Sequence, residues 1–203
     1  MAAREHVVER TGEPTWEIAH LFPYQGDWTE EEYLALDTNH LIELIDGRLE
    51  FLSMPTQSHQ LVLLFLYRIL WAYVTERNLG IVLAAPMRIR IRPRKYREPD
   101  VLFISHEHAH LRGEQFWQGA DLVMEIVSPD DPDRDYVQKR ADYARLGVAE
   151  YWIVDPLRQL ITVLALTSQE YTLFGEFTPG MRAASTLLTG FSVAVEEVLA
   201  AVQ

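Results

Sequence analysis

The chain has 203 residues, no cysteine, 18 lysines plus arginines against 30 aspartates plus glutamates, and a formal net charge of −12. This composition excludes disulfide bonds, thiolate catalysis and cysteine-bound zinc, and predicts one globular domain with a substantial core. The longest apolar stretch, residues 61–74, is interrupted by Arg68 and is shorter than the roughly 20 residues of a membrane helix. No signal peptide is evident, so we predict a cytoplasmic protein without a membrane segment.

The amino-terminal part of the chain predicts an arm followed by the folded domain. Residues 1–26 are irregular and contain aromatic side chains that are expected to dock on the rest of the protein. We therefore predict an N-terminal arm over residues 1–26 and a single domain over residues 27–203. Residues 29–32, Thr-Glu-Glu-Glu, match a capping box, which opens a helix to about Leu36.

A hairpin and a long helix come next. Two apolar runs within residues 41–52 flank Asp46-Gly47, and this dipeptide supplies a tight turn. Thr56 is predicted to cap a helix that runs to about Glu76. Apolar residues cover most of the circumference of that helix, so we expect it to be largely buried.

The second half of the chain predicts strands around one well-capped helix. Residues 87–92 alternate methionine or isoleucine with arginine, which predicts a strand with one apolar face. Asp131-Pro132 supplies a helix start and Gly147 a helix stop, so a helix is predicted between them. The elements together predict an α/β mixture around one sheet, with too few strand–helix alternations for a doubly wound fold. Further strands are predicted at residues 101–104, 122–127, 151–154, 160–166 and 171–174. A helical tail is predicted from about residue 193.

Charge is unevenly distributed along the chain. A net charge of −12 should repel a nucleic acid backbone at long range. Arg88, Arg90 and Arg92 nevertheless share one face of a predicted strand, and residues 121–135 hold six acidic residues. A basic strand beside an acidic cluster is expected where a metal site adjoins a phosphate track, so the three arginines are predicted to contact a nucleic acid. The alternative is a solvated strand face balanced by neighbouring acids.

Two carboxylates are the leading candidates for a metal site. Glu125 interrupts an apolar run that predicts a buried strand, where an unpaired carboxylate is strongly unfavourable. Either a divalent cation or a partner arginine removes that penalty. Asp100 opens another predicted strand, and if the two strands are neighbours both carboxylates point at one place, where hard oxygen ligands suit Mg²⁺ or Mn²⁺. Glu43 in the hairpin is a candidate third ligand, with pairing to an arginine as the alternative.

Lys139 is the candidate for orienting a water molecule. The chain has only two lysines, and arginine does not easily replace a compact ammonium in this role. Asp135 and Tyr143 lie four residues before and after Lys139, so the three share a helix face and the two neighbours are accessory candidates. The alternative is a surface ion pair with Asp135. His59, at the head of the long helix, is a further accessory candidate that would contact a phosphate or form a hydrogen-bonded core histidine.

In combination these residues resemble the Uma-two family, a restriction-endonuclease-like branch of the PD-(D/E)XK nuclease superfamily. The similarity extends from about Thr29 to Leu199. The motifs that carry it are Glu43-Leu-Ile-Asp-Gly47, Ser53-Met-Pro55 with His59, Pro99-Asp100-Val101, Glu125-Ile-Val-Ser-Pro129, Asp135 with Lys139 and Tyr143, and Gly147-Val-Ala-Glu-Tyr-Trp-Ile-Val-Asp-Pro156.

The resemblance implies a restriction-endonuclease-like α/β (α+β) core, in which a mixed central β-sheet is flanked by helices. It also implies hydrolysis of phosphodiester bonds with Mg²⁺ or Mn²⁺, DNA as the substrate, and Asp100 and Glu125 as metal ligands. The superfamily pattern places a lysine two residues after the glutamate, where this chain has Val127. The family resemblance supports a lysine that has migrated to position 139.

Two other functions stay open. One is a fold that has lost catalysis and serves as a DNA- or protein-binding module, and the other is a metal-dependent hydrolase of a substrate other than nucleic acid. Binding that weakens steeply with salt would indicate phosphate contacts and so distinguish these classes. The apolar strands and the tail helix suit a homodimer, which cleavage of a duplex would favour.

Overall fold

The computed structural model describes residues 22–38 and 40–202. Its helices are α1 (Glu30–Leu34), α2 (Gln57–Glu76), α3 (Arg140–Leu146) and α4 (Val195–Ala200), with a 3₁₀ turn at Ala109–Leu111 and a π-helical turn at Arg134–Lys139. Its strands are β1 (Ile42–Ile45), β2 (Arg48–Phe51), β3 (Gly80–Ala84), β4 (Arg88–Arg92), β5 (Lys95–Arg97), β6 (Val101–Ser105), β7 (Phe116–Trp117), β8 (Leu122–Ile126), β9 (Glu150–Asp155), β10 (Leu160–Thr167), β11 (Glu170–Phe177), β12 (Arg182–Ala184) and β13 (Ser192–Ala194). Most of the predicted arm over residues 1–26 lies outside the described residues; near its end, Phe22 stacks on Trp28 with ring centroids 6.1 Å apart.

Six strands form the central sheet, in the order β11-β10-β9-β8-β6-β3. β8 and β9 run parallel and the other neighbouring pairs are antiparallel, so the sheet is mixed. β8 and β9 are buried along their whole length because both faces of the sheet are covered, which explains their nearly continuous apolar sequences. The predicted mixed central sheet with flanking helices is confirmed.

Opposite faces of the central sheet pack against different elements. On one face, Leu66 of α2 belongs to the same apolar cluster as Met124, together with residues of β12, β13 and α4. On the other face, Tyr143 of α3 joins Val123 and residues of β4 in a second cluster. Side chains of a strand alternate between faces, so Glu125 shares the face of Val123 and points toward α3.

The long helix α2 begins at its predicted cap, where the Thr56 hydroxyl accepts a hydrogen bond from the His59 N–H at 3.2 Å. The expectation that α2 is largely buried is wrong, because only one stripe of the helix meets the sheet. Leu64 and Trp71, on the remaining surface, are 55% and 47% exposed. The buried stripe of α2 consists of Val62, Leu63, Leu66, Leu70 and Val74.

Among the described residues, none of the helices has the length and the apolar character that a membrane span requires.

The predicted hairpin belongs to a second sheet, in the order β2-β1-β5-β4-β7. Asp46 and Gly47 form its turn with φ values of 53° and 79°, the left-handed conformation that such a two-residue turn requires. A single sheet was expected, but β5 uses both of its edges to pair with β1 and β4, so these strands form a layer of their own. Tyr33 of α1 is buried against this layer and donates its hydroxyl to the Ile42 carbonyl at 2.7 Å.

The capping box at the start of α1 gives a local test of the fold. The Thr29 hydroxyl accepts the Glu32 N–H at 3.2 Å, and the Glu32 carboxylate accepts the Thr29 N–H at 2.9 Å. Thr29→Ala is expected to lower the free energy of unfolding by about 1 kcal/mol, because a helix N–H loses its acceptor. Urea denaturation measures this change. Thr29→Ser keeps the hydroxyl and serves as the control; an equal loss in both variants would contradict the capping explanation.

Candidate active site

The antiparallel pairing of β6 and β8 brings Asp100 and Glu125 together. Val101 lies opposite Met124 in this pair, so the register continued by one residue sets Asp100 opposite Glu125. Asp100 also accepts a hydrogen bond from the Ile126 N–H through its Oδ2, at 2.8 Å. The two candidate metal ligands therefore lie beside each other at one end of neighbouring strands.

Glu125 is buried within a hydrogen-bonded group of side chains. Lys139 Nζ donates to Glu125 Oε2 at 2.7 Å, and the Tyr143 hydroxyl donates to Oε1 at 2.5 Å. Lys139 Nζ also lies 3.2 Å from Asp135 Oδ1. The structure thus brings the predicted lysine and its two helix neighbours to the predicted glutamate. Lys139 and Asp135 are buried, so their ion pair is not the surface pair weighed as the alternative.

The charges of this group do not balance. Burial, only partly opposed by Lys139, raises the pKa of Glu125 to about 8, and burial also raises the pKa of Asp135. Burial by itself lowers the pKa of Lys139, but Glu125 and Asp135 outweigh it, so that pKa is raised. Lys139 therefore keeps its charge while Asp100, Glu125 and Asp135 lie near one ammonium. The raised pKa of Glu125 means that a further positive charge at this carboxyl, either a proton or a bound cation, is favoured near neutral pH.

These side chains line a cleft of about 240 Å³ between the start of α2, the end of β8 and the π-helical turn. The cleft also contains polar residues from the loop that follows β8, including Ser128 and Asp130. Within residues 22–38 and 40–202, no group of three or more aspartate, glutamate or histidine side chains is arranged to hold a metal ion. The ionisable side chains that line the cleft with the two carboxylates include His59, Glu98, Arg134, Asp135 and Lys139.

The π-helical turn shapes one wall of this cleft. The sequence predicts a continuous helix up to Gly147, and the chain is helical from Pro132 to Leu146, but residues 134–139 follow the wider π repeat. A repeat of i→i+5 brings residues five apart toward a common face, so Arg134 and Lys139 both reach the cleft. Such turns occur frequently at functional sites.

His59 joins the site through Asp100. Its Nε2 lies 3.2 Å from Asp100 Oδ2. Burial lowers the pKa of His59, but the hydrogen bond to Asp100 outweighs it, so that pKa is raised. The other ring nitrogen, Nδ1, is buried and has no hydrogen-bond partner among the described residues. His59 therefore contacts a predicted metal ligand, and its contact with a phosphate stays a prediction.

Glu98 is a cleft residue that the sequence analysis missed. Its Oε1 lies 3.2 Å from Arg88 Nε, while its Oε2 is buried without a partner in the described part of the protein. Burial raises the pKa of Glu98 to about 7. Glu98 directly precedes the Pro99-Asp100 motif, and this position was the one feature of the sequence that could have pointed to a role in the site. The sequence pattern did not indicate that its side chain would be buried.

Glu43 is bound by arginines. Arg97 Nη1 lies 2.6 Å and Arg134 Nη2 lies 3.2 Å from Glu43 Oε2, and the Glu98 N–H donates to Oε1 at 3.0 Å. Glu43 is therefore paired with arginines, which is the alternative that the sequence left open for it. Its role as a third metal ligand stays a prediction.

The arginines of β4 are balanced by acids. Ile89 and Ile91 are buried, and the three arginines that alternate with them are partly exposed, as the alternating pattern predicts. Each arginine has an acidic partner, as expected for the alternative of a strand face that is balanced by neighbouring acids. Contact of these arginines with a nucleic acid stays a prediction. The pairs are Arg88 with Glu98 at 3.2 Å, Arg90 with Glu30 at 2.8 Å and Arg92 with Asp46 at 2.6 Å.

Comparisons with known proteins give a family and a fold. A family model described as "Uma2: Putative restriction endonuclease" matches residues 30–196. A crystal structure described as "a putative nuclease belonging to DUF820", from Anabaena variabilis ATCC 29413, is 18% identical and covers 86% of this chain and 99% of its own, with a TM-score of 0.72. This likeness shows that the two chains share a fold. No curated protein matches. Because the family model matches residues 30–196, the chain belongs to the Uma2 family, which is the Uma-two family that its motifs resemble.

Proposed function

We propose that this chain is an endonuclease that hydrolyses phosphodiester bonds of DNA with Mg²⁺ or Mn²⁺. The observation that carries the proposal is the meeting of Asp100, Glu125 and Lys139, from three separate segments of the chain, at one cleft. Membership of a family described as "Putative restriction endonuclease" supports it, as does the fold shared with a protein described as "a putative nuclease".

The donor groups of the cleft fit a divalent cation. Asp100 and Glu125 offer hard oxygen ligands, and each carboxylate oxygen has more than one lone pair, so hydrogen bonds from Lys139 or Tyr143 do not prevent ligation. Mg²⁺ is commonly held by one or two carboxylates together with waters and substrate phosphates, so a site with two adjacent carboxylates suits it. When bound there, the ion would polarise the scissile phosphate and lower the pKa of a bound water.

Lys139 is proposed to hold the attacking water in position. An ammonium has three N–H donors, of which Glu125 and Asp135 engage two, so one donor can reach a water in the cleft. The raised pKa of Lys139 keeps the ammonium protonated, so the side chain acts as a donor and not as a base. Tyr143 and His59 are positioning residues, because each fixes one of the two proposed metal ligands through a hydrogen bond.

A binding module without catalysis is the second candidate. The direct ion pair between Lys139 and Glu125 favours it, because this pair partly neutralises the buried carboxylate without any cation. The two candidates differ in one property: the module would bind its partner without metal-dependent turnover.

Removal of metal tests the proposed activity. Supercoiled plasmid DNA should be nicked or linearised in Mg²⁺ or Mn²⁺, should stay intact when EDTA is added, and should be cleaved again after excess Mg²⁺ restores the ion. Single-stranded DNA and RNA, assayed in parallel, define the substrate class. Cleavage that persists undiminished in EDTA would contradict the proposal, whereas DNA binding without cleavage would support the module.

Calorimetric titration with Mg²⁺ locates the metal. We expect the parent protein to bind the ion and Asp100→Asn to lose this binding, because the variant removes a charged oxygen ligand. Glu107→Gln changes an exposed carboxylate outside the cleft and should bind like the parent. The titrations are repeated with DNA present, because a phosphate of the substrate can supply the remaining ligands of the metal site.

Sedimentation of the same preparation tests the predicted homodimer.

A further inference from the structure

We infer that Arg134 binds the non-bridging oxygens of the phosphate that enters the cleft. This inference rests on the proposed nuclease function for the identity of its substrate. It assigns the phosphate contact to a residue of the π-helical turn, whereas the sequence pattern pointed to the arginines of β4.

The first observation is an unsatisfied donor. Arg134 lines the cleft, and its Nη2 lies 3.2 Å from Glu43 Oε2 and 3.0 Å from Glu50 Oε2. Its Nε is buried and has no hydrogen-bond partner among the described residues. A buried donor without an acceptor is unfavourable and uncommon in folded proteins. Nε itself is closed off from the cleft, whereas Nη1 makes no hydrogen bond to the described residues and is not one of the buried atoms, so Nη1 is the donor that an anion in the cleft would meet.

The second observation is the geometry of the guanidinium. Two carboxylates hold one end of it, so the side chain is fixed before a ligand arrives. A planar fork that is always charged suits the oxygens of a phosphate. Arg90 of β4 differs in this respect: it donates both Nε and Nη2 to Glu30, each at 2.8 Å, so its fork is already occupied.

The third observation is the charge of the cleft. Asp100, Glu125 and Asp135 would repel a phosphodiester, and the protein as a whole is acidic. Arg134 lies one residue before Asp135, and the π repeat brings it toward the face of Lys139. Two cationic side chains at one wall of the cleft would offset this repulsion where the phosphate must approach the carboxylates.

A purely structural role for Arg134 is the competing explanation. Its pairs with Glu43 and Glu50 tie the hairpin to the π-helical turn, so the loss of Arg134 could lower stability without any effect on DNA. Melting temperature does not separate the two explanations. The dependence of DNA affinity on salt separates them, because log K falls with log salt concentration and each phosphate contact that is lost reduces the magnitude of this negative slope by about one.

The test uses a short fluorescent DNA duplex and full-length protein, with Ca²⁺ in place of Mg²⁺ to limit turnover and gels to confirm that the duplex stays intact. Arg134→Gln should weaken binding by roughly 10- to 100-fold and reduce the magnitude of the salt slope by about one. Arg134→Lys keeps the charge without the fork and should lie between the parent and Arg134→Gln. Circular dichroism confirms that each variant is folded.

Two matched controls separate charge and scaffold from phosphate binding. Arg112→Gln removes an exposed arginine outside the cleft and should bind with the parental affinity and slope. Glu50→Gln breaks one anchoring pair but keeps the phosphate contact of Arg134, so it should weaken binding by less than Arg134→Gln and keep the parental salt slope. A folded Arg134→Gln protein with parental affinity and slope would overturn the inference even if the parent cleaves DNA, and so would a parent that binds no duplex. Binding that depends on Arg134 in a protein that never cleaves DNA would uphold the inference and overturn the nuclease proposal.

Discussion

Glu125→Gln is expected to reduce cleavage of plasmid DNA by at least about 100-fold. Loss of a group that merely supports a metal ligand typically costs 10- to 100-fold in affinity or activity, so loss of a ligand should cost at least as much. Glutamine keeps the shape of the side chain: its amide oxygen can still accept the hydrogen bond from Lys139, and its amide N–H can donate to the Tyr143 hydroxyl. It lacks the negative charge that a divalent cation requires. Calorimetry should accordingly show that Mg²⁺ binding is lost together with cleavage.

Folding of the Glu125→Gln variant should be close to that of the parent. Burial raises the pKa of Glu125 to about 8, so the folded protein already tolerates an uncharged side chain at this position near neutral pH. Lys139 keeps Asp135 as an ionic partner. Glu107→Gln provides the exposed control and should cleave like the parent. A folded Glu125→Gln protein that cleaves at the parental rate would remove Glu125 from the proposed site.

Arg97→Met is expected to lower the free energy of unfolding by about 3–5 kcal/mol, because it leaves two buried carboxylates without their cation. Arg97 is 1% exposed, and its guanidinium lies 2.6 Å from Glu43 and 2.8 Å from Asp142. Lys95 and Arg134 still compensate part of the loss, since each contacts one of these acids. Equilibrium urea denaturation at neutral pH measures the change.

The pH dependence of this loss has a defined sign. Burial raises the pKa of Glu43, but Arg97 and then Lys139 outweigh it, so the pKa lies below the ordinary value of 4.5. A lowered pKa contributes stability that is present above 4.5 and is lost as pH falls through the lower folded-state value. The parent should therefore lose this contribution on acidification, and its difference from Arg97→Met should shrink.

The control for Arg97→Met is an exposed ion pair. Arg77 and Glu76 lie 2.6 Å apart with side chains that are 45% and 73% exposed, so Arg77→Met should change the free energy of unfolding by less than about 1 kcal/mol. Equal losses in the two variants, or a loss in Arg97→Met that grows as pH falls, would contradict the explanation by buried charge.

Local patterns in the sequence were enough to predict most helices and strands. The Thr29 capping box, the Asp46-Gly47 turn and the alternating strand at residues 88–92 depend on neighbours within a few residues, and each is present in the structure. The same patterns did not reveal that α2 buries only one stripe. An apolar circumference shows what a helix can bury, and the elements that pack against it decide what it does bury.

Within the candidate site, the sequence by itself determined which residue types were unusual: a glutamate inside an apolar strand, an aspartate at a strand start, and one of two lysines on the next helix. These are chemical anomalies that any fold must accommodate. Only the tertiary structure decided that Asp100 lies opposite Glu125, that Lys139 reaches Glu125 within 2.7 Å, and that Glu43 belongs to Arg97. Strand register, the π-helical turn and the pairing of buried charges all depend on contacts between residues far apart in the chain, which local sequence patterns do not encode.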